Sequence, residues 1–200
     1  MTYELLVALA AFALVSSITP GPNNLMLMAS GANFGFRRSI PHMLGIGIGF
    51  SLMVAMVGIG FSQIFNSYPL SHLILKILSV TYLLYLAYKI ATASTPAKQL
   101  GLEDGKARPF TFFQAALFQW VNPKSWTMAL TATAVYAPSQ SVQAIAVVTG
   151  VFGIINLPCV SVWAAMGLQL KQLLTSQRRL RAFNYTMATL LVASLYPVLV

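Results

Sequence analysis

Apolar residues run almost unbroken along this chain, with short polar stretches between them. A helix that spans a bilayer needs roughly 20 consecutive, mostly apolar residues. Six stretches meet that need: Leu5 to about Ser30, about Ile40 to Phe61, about Leu70 to Ile90, about Phe112 to Val135, about Val142 to Leu168, and about Phe183 to Val200. The pattern predicts an all-α polytopic membrane protein with six transmembrane helices in a single domain over 1–200.

The loops between these stretches alternate in charge. Arg37 and Arg38 follow the first, Lys98, Lys106 and Arg108 follow the third, and Lys171, Arg178, Arg179 and Arg181 follow the fifth. The stretches from Phe61 to Pro69 and from Tyr136 to Gln143 contain no Lys or Arg, and neither do the termini. Cytoplasmic loops carry the excess of Lys and Arg, so both termini are expected outside and the basic loops inside. The start, Met-Thr-Tyr-Glu, lacks the basic region of a secretory signal, so the first segment is expected to be a mature helix.

The longest loop, 93–109, is basic and divides the chain into pseudo-repeats 1–92 and 110–200. Three spans per half give the halves opposite orientations, the geometry of a 3+3 inverted-topology repeat. In each half the first helix is interrupted by proline: Thr19-Pro20-Gly21-Pro22-Asn23 in one, Asn122-Pro123-Lys124 in the other. Gly45 and Gly49, with Gly150, Gly153 and Gly167, read as points of close helix packing.

Composition narrows the classes. Of 200 residues, 58% are hydrophobic and 8% charged, and the mean hydropathy is +0.75. A soluble domain carries about 25% charged residues, so the expected solvent is lipid. The net charge of +9 would otherwise suggest nucleic acid, but its confinement to alternate loops is explained by topology, and no nucleic-acid partner is expected. The one cysteine, Cys159, cannot form an internal disulfide.

The prolines carry the chemistry. Proline breaks a helix, and in lipid the freed backbone groups must find partners in protein or at a cavity. Pro22 suits the first position of a new half-helix, with Asn23 and Asn24 behind it; Asn122 suits an N-cap and Pro123 the next position. Such N-termini attract a carboxylate. Carbonyls before each break, at Ser17, Ile18 and Thr19 or at Gln119, Trp120 and Val121, suit an ammonium group. One cavity would then hold both ends of a zwitterion. Lys124 lies about twelve residues into its segment, roughly 18 Å from the cytoplasmic end. A lysine there costs about 2.5–3.5 kcal/mol on insertion scales, and a counter-charge for a substrate carboxylate explains it better than snorkelling. Asn156, beside Pro158, is expected to interrupt the fifth helix, and either lines the same cavity or marks a plain kink. His42 and His72 are expected at membrane interfaces, and Trp120, Trp126 and Trp163 in packing against lipid or core.

These motifs resemble the LysE/RhtB family of amino-acid exporters. The resemblance covers the whole chain and rests on the two proline motifs, on Gly35-Phe36-Arg37, on Gly45 with Gly49, and on Leu75-Lys76 with Tyr82-Leu83. Within that family the first helix and loop look most similar to the cysteine and O-acetylserine exporters, with the threonine, homoserine and leucine exporters as rivals. The resemblance implies a bacterial inner-membrane location and export of amino acids, usually coupled to protons. Two departures stand out. Asn156 occupies a place where several relatives carry an acid, and Ser79, Val80 and Thr81 stand where Gly and Ala are usual. Glu4 and Lys76 are the candidate coupling residues, beside a histidine or the substrate's own ionisation, with no coupling as the remaining alternative.

The sequence thus predicts a secondary transporter exporting small neutral amino acids or their derivatives. Its site comprises Pro20, Gly21, Pro22, Asn23, Asn24, Asn122, Pro123, Lys124 and Asn156, without cofactor or metal. Expected partners are the amino acid, protons, the bilayer, and in one version a second copy in a homodimer. An enzyme would need paired carboxylates, clustered metal ligands or an activated nucleophile. A non-transporting scaffold would not need Lys124, and a divalent-cation exporter would need more buried oxygen or imidazole ligands.

Overall fold

The computed structural model describes residues 1–61, 68, 70–93 and 108–196, the side chain of His72 excepted. Among these residues all regular structure is helical. Most of the loop 61–69, most of the central loop 93–109 and the end of the last predicted span lie outside the described residues.

The first expected span is two helices. α1 runs Tyr3–Ile18 and α2 runs Pro22–Phe34, with a bend of 53° between them. Thr19 has φ −63° and ψ 146°, the extended conformation favoured before proline, so α1 must stop there. Gly21 is also extended, and Pro22 opens α2. Gly35, at φ 84°, closes α2 and lets α3 begin at once at Phe36. α3 runs Phe36–Met56 and continues as a π-helical turn, Val57–Phe61. α4 runs Leu70–Ala91.

The fourth expected span is also divided. α5, Phe112–Phe118, starts in a capping box made by Thr111 and Gln114. It tightens into a 3₁₀ turn, Gln119–Val121, and yields at Asn122 to α6, Pro123–Tyr136. α7, Val142–Leu173, is one helix of 32 residues, roughly 48 Å long at 1.5 Å per residue. α8 runs Gln177–Ala193.

Several details differ from the sequence pattern. α7 passes through Asn156 and Pro158 without interruption. Arg37 and Arg38 lie in the first turn of α3, and Arg178, Arg179 and Arg181 in the first turns of α8, rather than in loops. Helix geometry is satisfied by hydrogen bonds within the element, so polar ends extend it past the apolar run that hydropathy detects. His42 is not interfacial. It is 1% exposed and stacks on Phe110 with ring centroids 5.1 Å apart.

By length and composition, Phe36–Phe61, Leu73–Ala91 and Val142–Leu173 can each cross a membrane, and the bent pair α1–α2 makes a fourth crossing if taken as one span. The outer surface fits that solvent. Ile154, in the middle of α7, is 76% exposed, and Phe113 is 74% exposed. A water-facing helix would carry polar residues there. The chain is an integral membrane protein.

α7 forms the centre, with α1, α2 and α3 packed along it, while α4 packs on α8. One core cluster joins Leu9, Ala13, Phe50, Ala129 and Phe152. Another joins Met26, Leu83, Leu86, Phe118 and Leu191. In lipid such packing is driven by close contact rather than by escape from water, which favours small residues at crossings. Gly31 and Gly167 meet the partner backbone where α2 crosses α7, and Gly45 and Gly49 meet α5. Among the described residues Gly150 has nothing within 4 Å of its would-be side chain, so it is not a crossing point between the helices described.

Candidate functional site

The two breaks face each other. Lys124, second residue of α6, sends its Nζ across to the end of α1, 2.7 Å from the Thr19 carbonyl and 2.9 Å from Thr19 Oγ1. The Pro20 carbonyl lies 3.4 Å away. Electrostatics favours this reach. A cation in the first turn of α6 sits at the positive end of its own helix, whereas the last carbonyls of α1 form a negative end. Gly21 makes room. A Cβ there would lie 2.6 Å from Lys124 Cδ.

Asn23 returns the exchange. It occupies the second position of α2, as Lys124 does in α6, and reaches the other break. Its Nδ2 donates to Gln119 Oε1 at 2.9 Å, and Gln119 Nε2 donates back to Asn23 Oδ1 at 3.2 Å. Ser125 Oγ also donates to Gln119 Oε1, at 2.8 Å. Gln119 is fully buried, so this network must satisfy its amide from within.

The carbonyls freed by the first break are each accounted for. Asn24 Nδ2 donates to Ser17 O and Thr19 O, both at 2.8 Å. Trp163 Nε1, from α7, donates to Ile18 O at 3.0 Å. At the second break Trp126 Nε1 donates to Trp120 O at 2.8 Å, and the Asn122 side chain accepts from Lys124 N at 3.1 Å. Asn122 is thus the N-cap that its type predicts.

Between the breaks lies a polar cavity of about 20 Å³, whose lining includes Gly21, Asn23, Asn24, Asn122, Lys124 and Asn156. A water needs about 10–15 Å³ of such space, so the cavity has a water's dimensions, not an amino acid's. Asn156 is 5% exposed. Its Nδ2 donates to Ser17 Oγ at 3.2 Å, while its Oδ1 has no partner among the described residues.

The structure therefore gathers Pro20, Gly21, Pro22, Asn23, Asn24, Asn122, Pro123, Lys124 and Asn156 into one locality, with the prolines shaping the backbone. It does not bring Glu4 or Lys76 there. Glu4 is exposed in the first turn of α1, roughly 20 Å along the helix from Thr19. Lys76 is exposed on α4. Reasoning from the sequence missed the side chains of Ser17, Gln119, Ser125 and Trp163. A polar residue within one turn of a membrane break, as Gln119 and Ser125 are, was the available signal.

Comparison with known proteins gives the family. The family described as LysE type translocator matches residues 14–194. A cysteine/O-acetylserine efflux protein of Escherichia coli (strain K12) is 36% identical over 152 residues, 76% of this chain and 74% of that one. Proteins with the same description from Shigella sonnei (strain Ss046), at 36%, and Escherichia coli O1:K1 / APEC, at 35%, cover the same shares. No solved structure matches. The chain belongs to the LysE type translocator family.

Proposed function

We propose that this protein is a secondary transporter that exports small neutral amino acids or their derivatives, of the cysteine and O-acetylserine class, from the cytoplasm across the bacterial inner membrane. The observation that carries the reading is the contact of Lys124 Nζ with the Thr19 carbonyl, which makes the two breaks one locality. Family membership supports the class of activity, and the relatives' described activity supports the substrate.

In this mechanism the lysine holds the place of the substrate's ammonium. A zwitterion's carboxylate draws Lys124 away from Thr19 and is held by that side chain and the first turns of α2 and α6. Thr19 and Pro20 carbonyls then accept from the substrate's ammonium, with Asn156 Oδ1 available as a further acceptor. The cavity between the breaks admits only a water, so an amino acid enters only if it widens. Binding and release require α1–α2 to move against α5–α6, as in the rocking of inverted repeats about a midplane site.

The reading includes the six-span, 3+3 inverted arrangement in one domain over 1–200, with pseudo-repeats 1–92 and 110–200. α1–α2 and α5–α6 each form one span, both termini lie outside, and the basic loops lie in the cytoplasm. It also includes coupling to the proton gradient. The test is counterflow in proteoliposomes against a panel of amino acids that includes cysteine, O-acetylserine, threonine, homoserine and leucine. Saturable exchange of at least one supports the reading, and none across the panel sinks it. Uphill export that persists after the proton gradient is collapsed removes the coupling alone.

A further inference from the structure

A second cavity lies towards the other end of α2. It holds about 80 Å³, room for several water-sized groups. Met26, Ser30 and Asn33 line it from one face of α2, with spacings of four and three residues. Phe110 and Leu86 supply apolar wall, and Lys89 and Arg108 stand exposed at the rim. His42 lies in its lining. This imidazole is 1% exposed, yet neither Nδ1 nor Nε2 has a hydrogen-bond partner among the described residues. A buried polar group without partners calls for a ligand or water. The other buried polar side chains in the lining are already engaged. Ser30 pairs with Ser39 at 2.8 Å, and Asn33 exchanges bonds with Asn184 at 2.9 and 3.3 Å. His42 is therefore the open valence of the cavity.

We propose that this cavity is a second binding site, for a small carboxylate-bearing molecule with a further hydrogen-bonding group. The carboxylate lies at the rim against Arg108 and Lys89, whose charges match it. The second group reaches inward to His42, which offers one donor and one acceptor when neutral. The wall around it is apolar, which suits a short aliphatic body. Resting on the proposed export of amino acids, the occupant is the transported amino acid itself, captured on the basic, cytoplasmic side before it reaches the breaks. The route is short. Asn33 and Asn23 are ten residues apart on α2, roughly 15 Å.

The experiment follows His42 directly. The full chain carrying His72→Gln and ¹⁵N-labelled histidine, in lipid nanodiscs, is titrated with O-acetyl-L-serine and separately with methylamine, which lacks a carboxylate. The expected result is a saturable shift of the imidazole nitrogens with O-acetyl-L-serine and none with methylamine. Lys124→Gln leaves that shift intact, and Arg108→Gln weakens the apparent affinity roughly tenfold, the effect of losing one charge-assisted bond. Three results overturn the proposal: no saturable shift, an equal response to methylamine, or a shift abolished by Lys124→Gln. A persistent shift in a protein that exchanges no amino acid in proteoliposomes sinks the exporter reading and leaves the cavity's ligand site standing.

Discussion

Lys124 Nζ and the Thr19 carbonyl, 2.7 Å apart, join the second half of one broken helix to the first half of the other. Asn23 and Gln119 make the reverse connection. If Pro22 is superposed on Pro123, Asn23 falls on Lys124, so each half-helix reaches across with the same position. One of these two links is charged and one is neutral. Under the proposed function the charged link is the one a substrate carboxylate captures, and substrate binding is then expected to depend on Lys124.

Replacing Lys124 by Gln removes the charge and keeps an amide that can still donate to Thr19. A hydrogen bond to a charged group contributes about 1.5–3 kcal/mol, so affinity for an amino acid should fall roughly ten- to a hundredfold. Expression and membrane insertion should stay near normal, because a half-buried charge is removed rather than introduced. Lys124→Arg should retain part of the exchange. Counterflow in proteoliposomes measures both, and wild-type exchange by Lys124→Gln would exclude the carboxylate role.

Gly21→Ala tests the same contact from the other side. The extended φ of −174° suits alanine, so the backbone carries no penalty. The new methyl, however, would lie 2.6 Å from Lys124 Cδ and 3.2 Å from its Nζ, and the flexible lysine must move. Export should drop several-fold while thermal stability changes by less than about 1 kcal/mol, a typical net value for one hydrogen bond. A large loss of stability with unchanged affinity would mean that the glycine serves packing alone.

The two breaks were legible because proline acts locally. Pro20, Pro22 and Pro123 restrict their own φ and the residue before them whatever surrounds them. Asn122 as a cap was legible for the same reason. Pro158 in α7 shows the limit. A lone proline inside a long helix can be absorbed when neighbours keep the helix continuous, and no local pattern distinguishes that case from a break. The pairing of Asn23 with Gln119 spans 96 residues and depends on how the halves dock, which periodicity does not encode. The place of His42 near the start of its segment predicts an interfacial residue. Its burial comes from Phe110, a residue beyond the central loop.

The glycines of α7 should divide by position. A methyl on Gly167 would press into the Met28 carbonyl of α2, a backbone atom that cannot turn aside. Overpacking of this kind costs about 1–3 kcal/mol. A methyl on Gly150 meets nothing, and alanine is the better helix former by about 1 kcal/mol. Gly167→Ala should therefore lower the melting temperature of the purified protein, and Gly150→Ala should leave it unchanged or raise it. The opposite order would refute the proposed crossing of α2 and α7.

Asn33 and Asn184 form a buried amide pair between α2 and α8, and Asn184 Nδ2 also donates to the Ala93 carbonyl at the end of α4 at 2.9 Å. Both side chains are almost fully buried. Asn184→Leu strands Asn33 Oδ1 and the Ala93 carbonyl together, although Asn33 Nδ2 keeps its bond to the Ala29 carbonyl at 2.8 Å, and an unsatisfied buried group costs about 1–3 kcal/mol. Asn33→Leu strands Asn184 in turn, although Asn184 keeps its bond to Ala93. Replacing both removes the two amides at once, so the double variant should be less destabilised than the sum of the singles, with a coupling of about 0.5–3 kcal/mol. Thermal unfolding of the four proteins in one detergent gives that coupling. Strictly additive effects would mean that the two amides are satisfied separately, and that α8 is held to α2 by apolar contact alone.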